Sequence, residues 1–376
     1  MPTAVQTYRL CQRCADRQAA GPSAFEIVPG PECFVCGGLM DRTERMGELA
    51  ARRARRFDFR TFAVGISVPD GVMEREDEMR SNLKLKGNET MKTQAGRLIA
   101  SEVARMLGKL IDREHPDATL LADFGAREVF VNSRPVYFYG RYAKPGKLPQ
   151  RRSFCARCQG AGCDSCKGTG FEQKPSVEGL LRRRLSGFSG SEKMTFTWMG
   201  SEDRESVVLP PGRPFVVEIK NPKRRRFPRR FGARLRGGLV SVSRGRVLPS
   251  KPTRLPAFRF RTMIRAVAAA RVAPEALAEL KSRFKDAEVR FERPHNRPTV
   301  KKVHRVSAKA RGRALLIDAE LDGGLPVKRF VSGELVSPSV SEVLKTEVGC
   351  RSFDICGVRE IGGFGFAEIT RGEEKD

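Results

Sequence analysis

Eight of the ten cysteines in this 376-residue chain fall in Cys-x-x-Cys pairs, the spacing that turns two thiolates onto one metal ion. Cys11, Cys14, Cys33 and Cys36 form C-x2-C-x18-C-x2-C, and the "CGG" at the second pair lets the backbone turn tightly around a thiolate. Four thiolates complete a closed tetrahedral zinc site, and so short a segment has too little apolar area to fold without one. A closed site leaves no open ligand position, so the metal is expected to be structural. Cys155, Cys158, Cys163 and Cys166 lie in "CARCQGAGCDSCKGTG", where two touching copies of C-x-x-C-x-G-x-G read either as a second structural zinc site or as a reduced, metal-free knuckle. Cys350 and Cys356 match neither set and flank an apolar "FDI", which suits buried thiols.

The other chemical candidate is a carboxylate. "GSEDRESVVLPPGRPFVVEIKNPKRRR", residues 200–226, runs from an acidic turn with Glu202, Asp203 and Glu205 through an apolar stretch into a block of arginines. A carboxylate that acts on a nucleotide must sit in a cationic cleft that neutralises the surrounding phosphates, although acidic turns before strands are also common structural features. Residues 221–236 hold eight Lys or Arg and no acid, interrupted by Phe227, Pro228 and Phe231. Phosphate neutralisation explains the cations; a phenylalanine there could stack on a base or anchor the loop in the core.

Across the chain, 71 Lys and Arg against 44 Asp and Glu leave a formal charge of +27, which points to a polyanionic partner. There is no P-loop, no dinucleotide-binding glycine motif, no H-E-x-x-H and no G-x-S-x-G. Only His115, His295 and His304 are present, which argues against histidine-based catalysis or metal hydrolysis. No apolar run reaches 18 residues and the N-terminus lacks a signal-peptide core, so a cytoplasmic location away from membranes is expected. Nothing signals an oligomer, and a monomer is the default expectation.

The elements that must position these groups divide into four segments: 1–57, 58–150, 151–172 and 173–376. Residues 42–58 read as a basic helix leading into a strand within "FDFRTFAVGISVPD". Met91, Ala95, Leu98, Ile99, Val103, Met106 and Leu107 share one face of a helix capped by Asn88 or Thr90. "ATLLADFGA" and "EVFVNSRPVYFYGRY" read as strands completing an α+β domain, and "AKPGKLPQRRSF" as the linker to the second cysteine cluster. Beyond it come a helix at "PSVEGLLRRRL", strands at "MTFTWMG" and "RPFVVEIK", a helix at "APEALAELKSRFK", and strands at "KKVHRVSAKA", "RALLIDAEL" and "VKRFVSGEL". Mixed strand and helix over about 190 residues imply one α+β domain.

The motifs together resemble the archaeal tRNA pseudouridine synthases of the Pus-ten type. The four-cysteine ribbon, "RPVYFYGRYAKPGKLPQ", the second cysteine knuckle, "PSVEGL", "GRPFVVEIKNPKRR", "GGLPVKRFVSG" and "PSVSEVL" stand in that family's order nearly end to end. The resemblance implies a zinc ribbon with a basic helix (1–57), a THUMP-like tRNA-binding domain (58–150), the knuckle (151–172) and a synthase domain with a mixed, largely antiparallel sheet flanked by helices (173–376). It places Asp203 on the family's catalytic aspartate, Lys328 on the basic partner of that aspartate, and His304 where the family has an active-site tyrosine.

It further implies a tRNA substrate modified at uridines 54 and/or 55 of the T arm. Arg141, Arg213, Lys220, Lys223, Arg224, Arg225, Arg226, Arg229 and Arg230 are the cations expected to contact it. A flipped base, an aromatic or apolar pocket wall and no organic cofactor, nucleotide or catalytic metal are also expected. Ser201, Glu205 and Val207 depart from the family pattern around Asp203, and His304 departs from it where the family has a tyrosine. Two other readings stay open: an inactive, zinc-stabilised tRNA-binding or tRNA-chaperone protein, and a chaperone-type knuckle that binds unfolded polypeptide. Lys328 itself reads alternatively as a surface charge on a strand.

Overall fold

A computed structural model describes residues 7–18, 25–85, 89–146, 148–235, 238–293 and 296–367. Two compact units emerge, Met1–Pro135 with Lys220–Arg225, and Val136–Ile219 with Arg226–Asp376.

In the first unit the parallel strand pair Tyr8–Leu10 and Phe25–Ile27 flanks the short helix Gln12–Asp16, and the four N-terminal cysteines are all buried there. Helices Thr43–Ala54 and Met91–Leu107 pack on each other and on a four-stranded mixed sheet ordered Leu110–Ile111, Thr61–Ser67, Ala118–Asp123, Glu128–Ser133. Thr90 is the cap of the longer helix, its hydroxyl accepting the Thr93 N–H at 3.2 Å, and left-handed Gly108 ends it. The face read from sequence is the buried one at Met91, Ala95, Ile99 and Val103. Helix Val72–Asn82 carries no strong apolar periodicity and escapes sequence reading; it is held instead by Glu76, fully buried and paired with Arg17 at 2.8 Å. Glu76 also accepts the Met91 N–H at 2.9 Å, so the ion pair's spare lone pairs are used rather than stranded.

The second unit is built on one eleven-stranded sheet. Its path runs Phe231–Leu235, Gly238–Leu248, Val136–Lys144, Val208–Ile219, Val348–Ile361, Ala257–Ala268, Ala314–Asp322, Asn296–Arg311, Ala287–Arg293, Val336–Ser337, with Met194–Trp198 also paired to Val208–Ile219. Every pairing is antiparallel except Val348–Ile361 against Val208–Ile219. Strand Ala257–Ala268 has the alternation of a sheet that buries one face: Phe258, Phe260, Thr262, Ile264, Ala266 and Ala268 point into the core while Arg259, Arg261 and Arg265 face away.

Two sequence expectations are corrected. "EVFVNSRPVYFYGRY" is broken at Arg134-Pro135, where proline removes a ladder donor: Glu128–Ser133 stays in the first unit and Val136–Lys144 joins the large sheet of the second. "VKRFVSGEL" is no strand either. Val327–Ser332 is a helix ended by left-handed Gly333, and it buries Phe330 and Val331. Their i, i+1 placement gives neither a helical nor a strand period to read.

Candidate active site

Strands Met194–Trp198 and Val208–Ile219 are joined by residues 199–207, which carry the acidic turn. Glu202 and Asp203 diverge. The Glu202 side chain is fully buried: the Tyr142 hydroxyl donates to it at 2.6 and 2.8 Å, Gln150 Nε2 at 3.2 Å, and Arg213 Nη1 lies 3.3 Å away. That last nitrogen makes no aligned hydrogen bond, so Arg213 balances Glu202 by charge while its Nε donates to the Met199 carbonyl at 3.3 Å. Burial pushes the Glu202 carboxyl above its ordinary range against the pull of Arg213 and the Tyr142 hydroxyl. Gly200 is left-handed at φ 91°, and a side chain there would collide with the Arg213 guanidinium.

Lys144 holds the same loop by its backbone. Its buried ammonium donates to the carbonyls of Leu148 at 2.7 Å, Asp203 at 3.1 Å and Arg204 at 3.3 Å. Burial pushes this lysine below its ordinary value, opposed by the nearby Glu202, Asp203 and Glu205 carboxylates. Leu148 N–H to Arg204 O, Gln150 Nε2 to Gly200 O and Val207 N–H to Asp354 Oδ1 complete the frame. Tyr142, Lys144 and Gln150 all come from "RYAKPGKLPQ", a segment quoted for resemblance whose work sequence reasoning missed. The available signal was a set of polar side chains, Arg141, Tyr142 and Lys144, at the end of a strand that is buried on both faces.

Asp203 instead faces an open cleft of about 670 Å³, within the roughly 300–1,000 Å³ of small-molecule sites. Its Oδ2 meets Lys328 Nζ at 2.8 Å. Lys328 is the second residue of the helix Val327–Ser332, and its hydrogen bond to Asp203 outweighs partial burial to hold its ammonium above the ordinary lysine value. Trp198, Phe260, Phe353, Leu321, Leu325 and Ile355 supply an aromatic and apolar wall, with Arg213 and Arg151 as cations. The guanidinium of Arg213 also lies 4.8 Å from the Phe260 ring centre. A carboxylate held by a cation beside flat apolar walls is suited to covalent attack on a nucleoside whose base lies in the cleft.

His304 does not line this cleft. It sits at a bulge between Val303 and Arg305, where its ring lies 2.9 Å from Asp322 Oδ1 and 3.4 Å from Asp286 Oδ1. Asp322 is the residue that reaches the cleft wall; burial raises its carboxyl, but hydrogen bonds from His304 and the Lys302 N–H leave it below the ordinary range. A bulge re-aims side chains in a way that strand alternation does not reveal.

Arg141 is likewise no surface cation. Only 1% exposed, it donates to the Tyr139 hydroxyl, the Val358 carbonyl and Glu360. Arg213 is a buried wall residue for the reasons above, and half-buried Arg225 donates to Ser133 Oγ and the Arg134 carbonyl at 2.9 and 2.8 Å. Lys220, Lys223, Arg224, Arg226, Arg229 and Arg230 are exposed, as a phosphate contact requires. Phe227 and Phe231 pack on the Phe138 ring, which favours the anchoring role over base stacking.

Both cysteine sets converge, with the ligand atoms of each lying within 4.8 Å of one another. Zinc–thiolate bonds of about 2.3 Å in a tetrahedron need sulfurs about 3.8 Å apart. The Sγ separations fit: Cys11–Cys36 3.7 Å, Cys155–Cys163 3.9 Å, Cys158–Cys166 3.8 Å and Cys163–Cys166 3.8 Å. Backbone N–H groups of Gly162, Cys163 and Gly170 point at sulfurs of the second set at 3.2 to 3.3 Å, as suits thiolates. Cys350 and Cys356 join neither set; both are half-buried, and burial pushes the Cys350 thiol up to about 11.

A strongly cationic chain with two zinc-competent clusters and a lysine-paired aspartate at a nucleoside-sized cleft has the make-up of an RNA-modifying enzyme. Residues 47–123 match the family model described as Pus10 THUMP domain, archaeal, and residues 137–246 match Pus10, C-terminal. The tRNA pseudouridine synthase Pus10 of Cenarchaeum symbiosum is 32% identical over 90% of this chain and 81% of its own length. Its namesake in Nitrosopumilus maritimus is 28% identical over 86% and 84%. Among solved structures, a Cbf5-Nop10-Gar1 complex aligns over 59% of this chain and 48% of that one at 11% identity, with a TM-score of 0.32, too slight a likeness to argue from. The chain belongs to the tRNA pseudouridine synthase Pus10 family.

Proposed function

We propose that this protein isomerises uridine to pseudouridine in the T arm of tRNA, at position 54, 55 or both, with Asp203 as covalent catalyst. The observation that carries the reading is the 2.8 Å Asp203–Lys328 pair, set at a cleft with a flat apolar wall by a loop tied down from behind. The target uridine leaves its stack and enters the cleft. The Asp203 carboxylate bonds to the nucleoside, the N1–C1′ bond breaks, and the freed uracil turns against the wall. C5 then bonds to C1′, the carboxylate is released, C5 loses its proton and N1 gains one. Lys328 neutralises and orients the carboxylate throughout.

Lys220, Lys223, Arg224, Arg226, Arg229 and Arg230 would neutralise phosphates, and the THUMP-like segment would add tRNA contacts. Each cysteine set would hold one structural zinc. The described residues contain no helix long and apolar enough to cross a membrane. The test is carbodiimide-adduct primer extension on an unmodified tRNA transcript treated with wild type or Asp203→Ala. Stops in the T arm with wild type alone are expected. Salt-sensitive binding without stops from either protein would mean a binding protein on a synthase scaffold.

A further inference from the structure

The second cysteine knuckle carries a feature that the reaction does not use. Phe154 lies 64% exposed, stacked on Phe171 with ring centres 5.2 Å apart and planes 21° from parallel. The guanidinium of Arg152 lies 3.6 Å from the Phe171 ring centre, so a cation, a ring and a second ring are layered in sequence. The stack is rigid. Phe154 and Phe171 form a β-bridge, Cys155 N–H donates to Gly170 O and Glu172 N–H to Ser153 O, both at 2.9 Å. Gly160 approaches so closely that a Cβ there would stand 3.2 Å from the Phe154 ring, which keeps the ring's edge in place. The cysteine cluster anchors both arms, since Cys155 follows Phe154 and Cys166 accepts the Gly170 N–H.

We infer that Phe154 is a stacking platform for an unpaired base of the same RNA whose uridine enters the Asp203 cleft; this rests on the proposed function. Three features favour a base over a protein partner. Two rings make far too little apolar surface for a stable protein interface, which needs about 1,000 Å² or more, whereas a single flat ring suffices for a base. Residues 150–172 carry Arg151, Arg152, Arg157 and Lys167 against Asp164 and Glu172, a cationic surround suited to a phosphodiester backbone. The chain also connects the two places: Arg151 lines the cleft, and Phe154 is three residues on, no more than roughly 11 Å of extended backbone away. A nucleotide near the flipped uridine can therefore lie over the ring, compensating some of the stacking that flipping removes.

The test measures affinity of the full chain for an unmodified tRNA transcript by fluorescence anisotropy, in an Asp203→Ala background so that turnover plays no part. Phe154→Ala is expected to weaken binding about 5- to 100-fold, Phe154→Trp to restore it, and the salt slope to stay unchanged because no phosphate contact is lost. An unchanged zinc-to-protein ratio accompanies this result and separates it from knuckle collapse. Undiminished binding by Phe154→Ala overturns the inference, as does equal loss with Phe154→Trp. Loss of binding to reduced carboxymethylated lactalbumin but not to tRNA overturns it in favour of a polypeptide surface. Should wild type form no pseudouridine at all, the catalytic proposal falls while the affinity comparison still decides the platform.

Discussion

Glu202 and Asp203 are adjacent carboxylates in opposite surroundings. Glu202, fully buried although it borders the cleft, is enclosed by Tyr142 and Arg213 from strands and by Gln150 from the segment beyond Lys144. On the cleft side, Asp203 keeps over a third of its side chain exposed and meets one cation, Lys328, itself half exposed. The rear group gives the loop its shape, and the front group is left accessible to a substrate. On the proposed role of Asp203, a reacting carboxylate would have to remain open yet stay fixed, and this loop divides those two requirements between neighbours.

The sharpest break in that comparison is Asp203→Asn, which should lower the single-turnover rate by at least about 10³-fold while shifting stability by no more than about 0.5 kcal/mol. Rapid-quench assay and urea denaturation on one preparation check both halves. Glu202→Ala should do the reverse in kind: Arg213 is left buried and unpaired, so unfolding free energy falls by about 3 kcal/mol or more and activity is lost through the fold. A Glu202→Ala protein that unfolds at the wild-type urea midpoint would refute the division of roles. Lys328→Met should cost about 10²-fold in kcat with little change in stability, the usual cost of removing one preorganised charge partner. Lys144→Met should cost about 2 kcal/mol of stability by stranding the Leu148, Asp203 and Arg204 carbonyls, with a smaller loss of rate from a loosened loop.

The front of the site was far more legible in the sequence than the rear. Asp203 stands out because a family motif aligns there, and Lys328 follows from "GGLPVKRFVSG", although its helix was read as a strand. The rear contacts span 60 residues, from Tyr142 to Glu202 and Lys144 to the Arg204 carbonyl, and no local periodicity encodes which polar residue inside a buried strand finds which partner. Arg141 was misread for the same reason. Its strand is buried on both faces, so alternation does not mark an inward arginine, and its partners lie more than 200 residues on at Val358 and Glu360. Of the large sheet, Met194–Trp198, Val208–Ile219, Ala314–Asp322 and part of Asn296–Arg311 were read as strands, whereas Gly238–Leu248, Ala257–Ala268 and Val348–Ile361 were not, and neither was the order in which the strands join. Both cysteine sets were legible because the metal-binding spacing is itself short-range.

The two lysines that contact the loop sharpen the comparison through pH. Lys328 has its folded value raised above 10.5 by the hydrogen bond to Asp203, which outweighs its partial burial. Its contribution is therefore fully present below 10.5 and disappears only as pH climbs through the raised value. Lys144 has its folded value lowered from 10.5 by burial, so the folded chain sheds that proton before the unfolded chain does. The penalty for its charge is complete below the lowered value and is relieved as pH rises from there toward 10.5. Urea midpoints followed from neutral pH upward should then diverge between variants. The gap between wild type and Lys144→Met should widen on the approach to 10.5, whereas the small gap to Lys328→Met should show no such widening and should only shrink above 10.5. Parallel gaps for the two variants would mean that both lysines sit in equivalent surroundings, and the distinction between the loop's rear and its open face would fail.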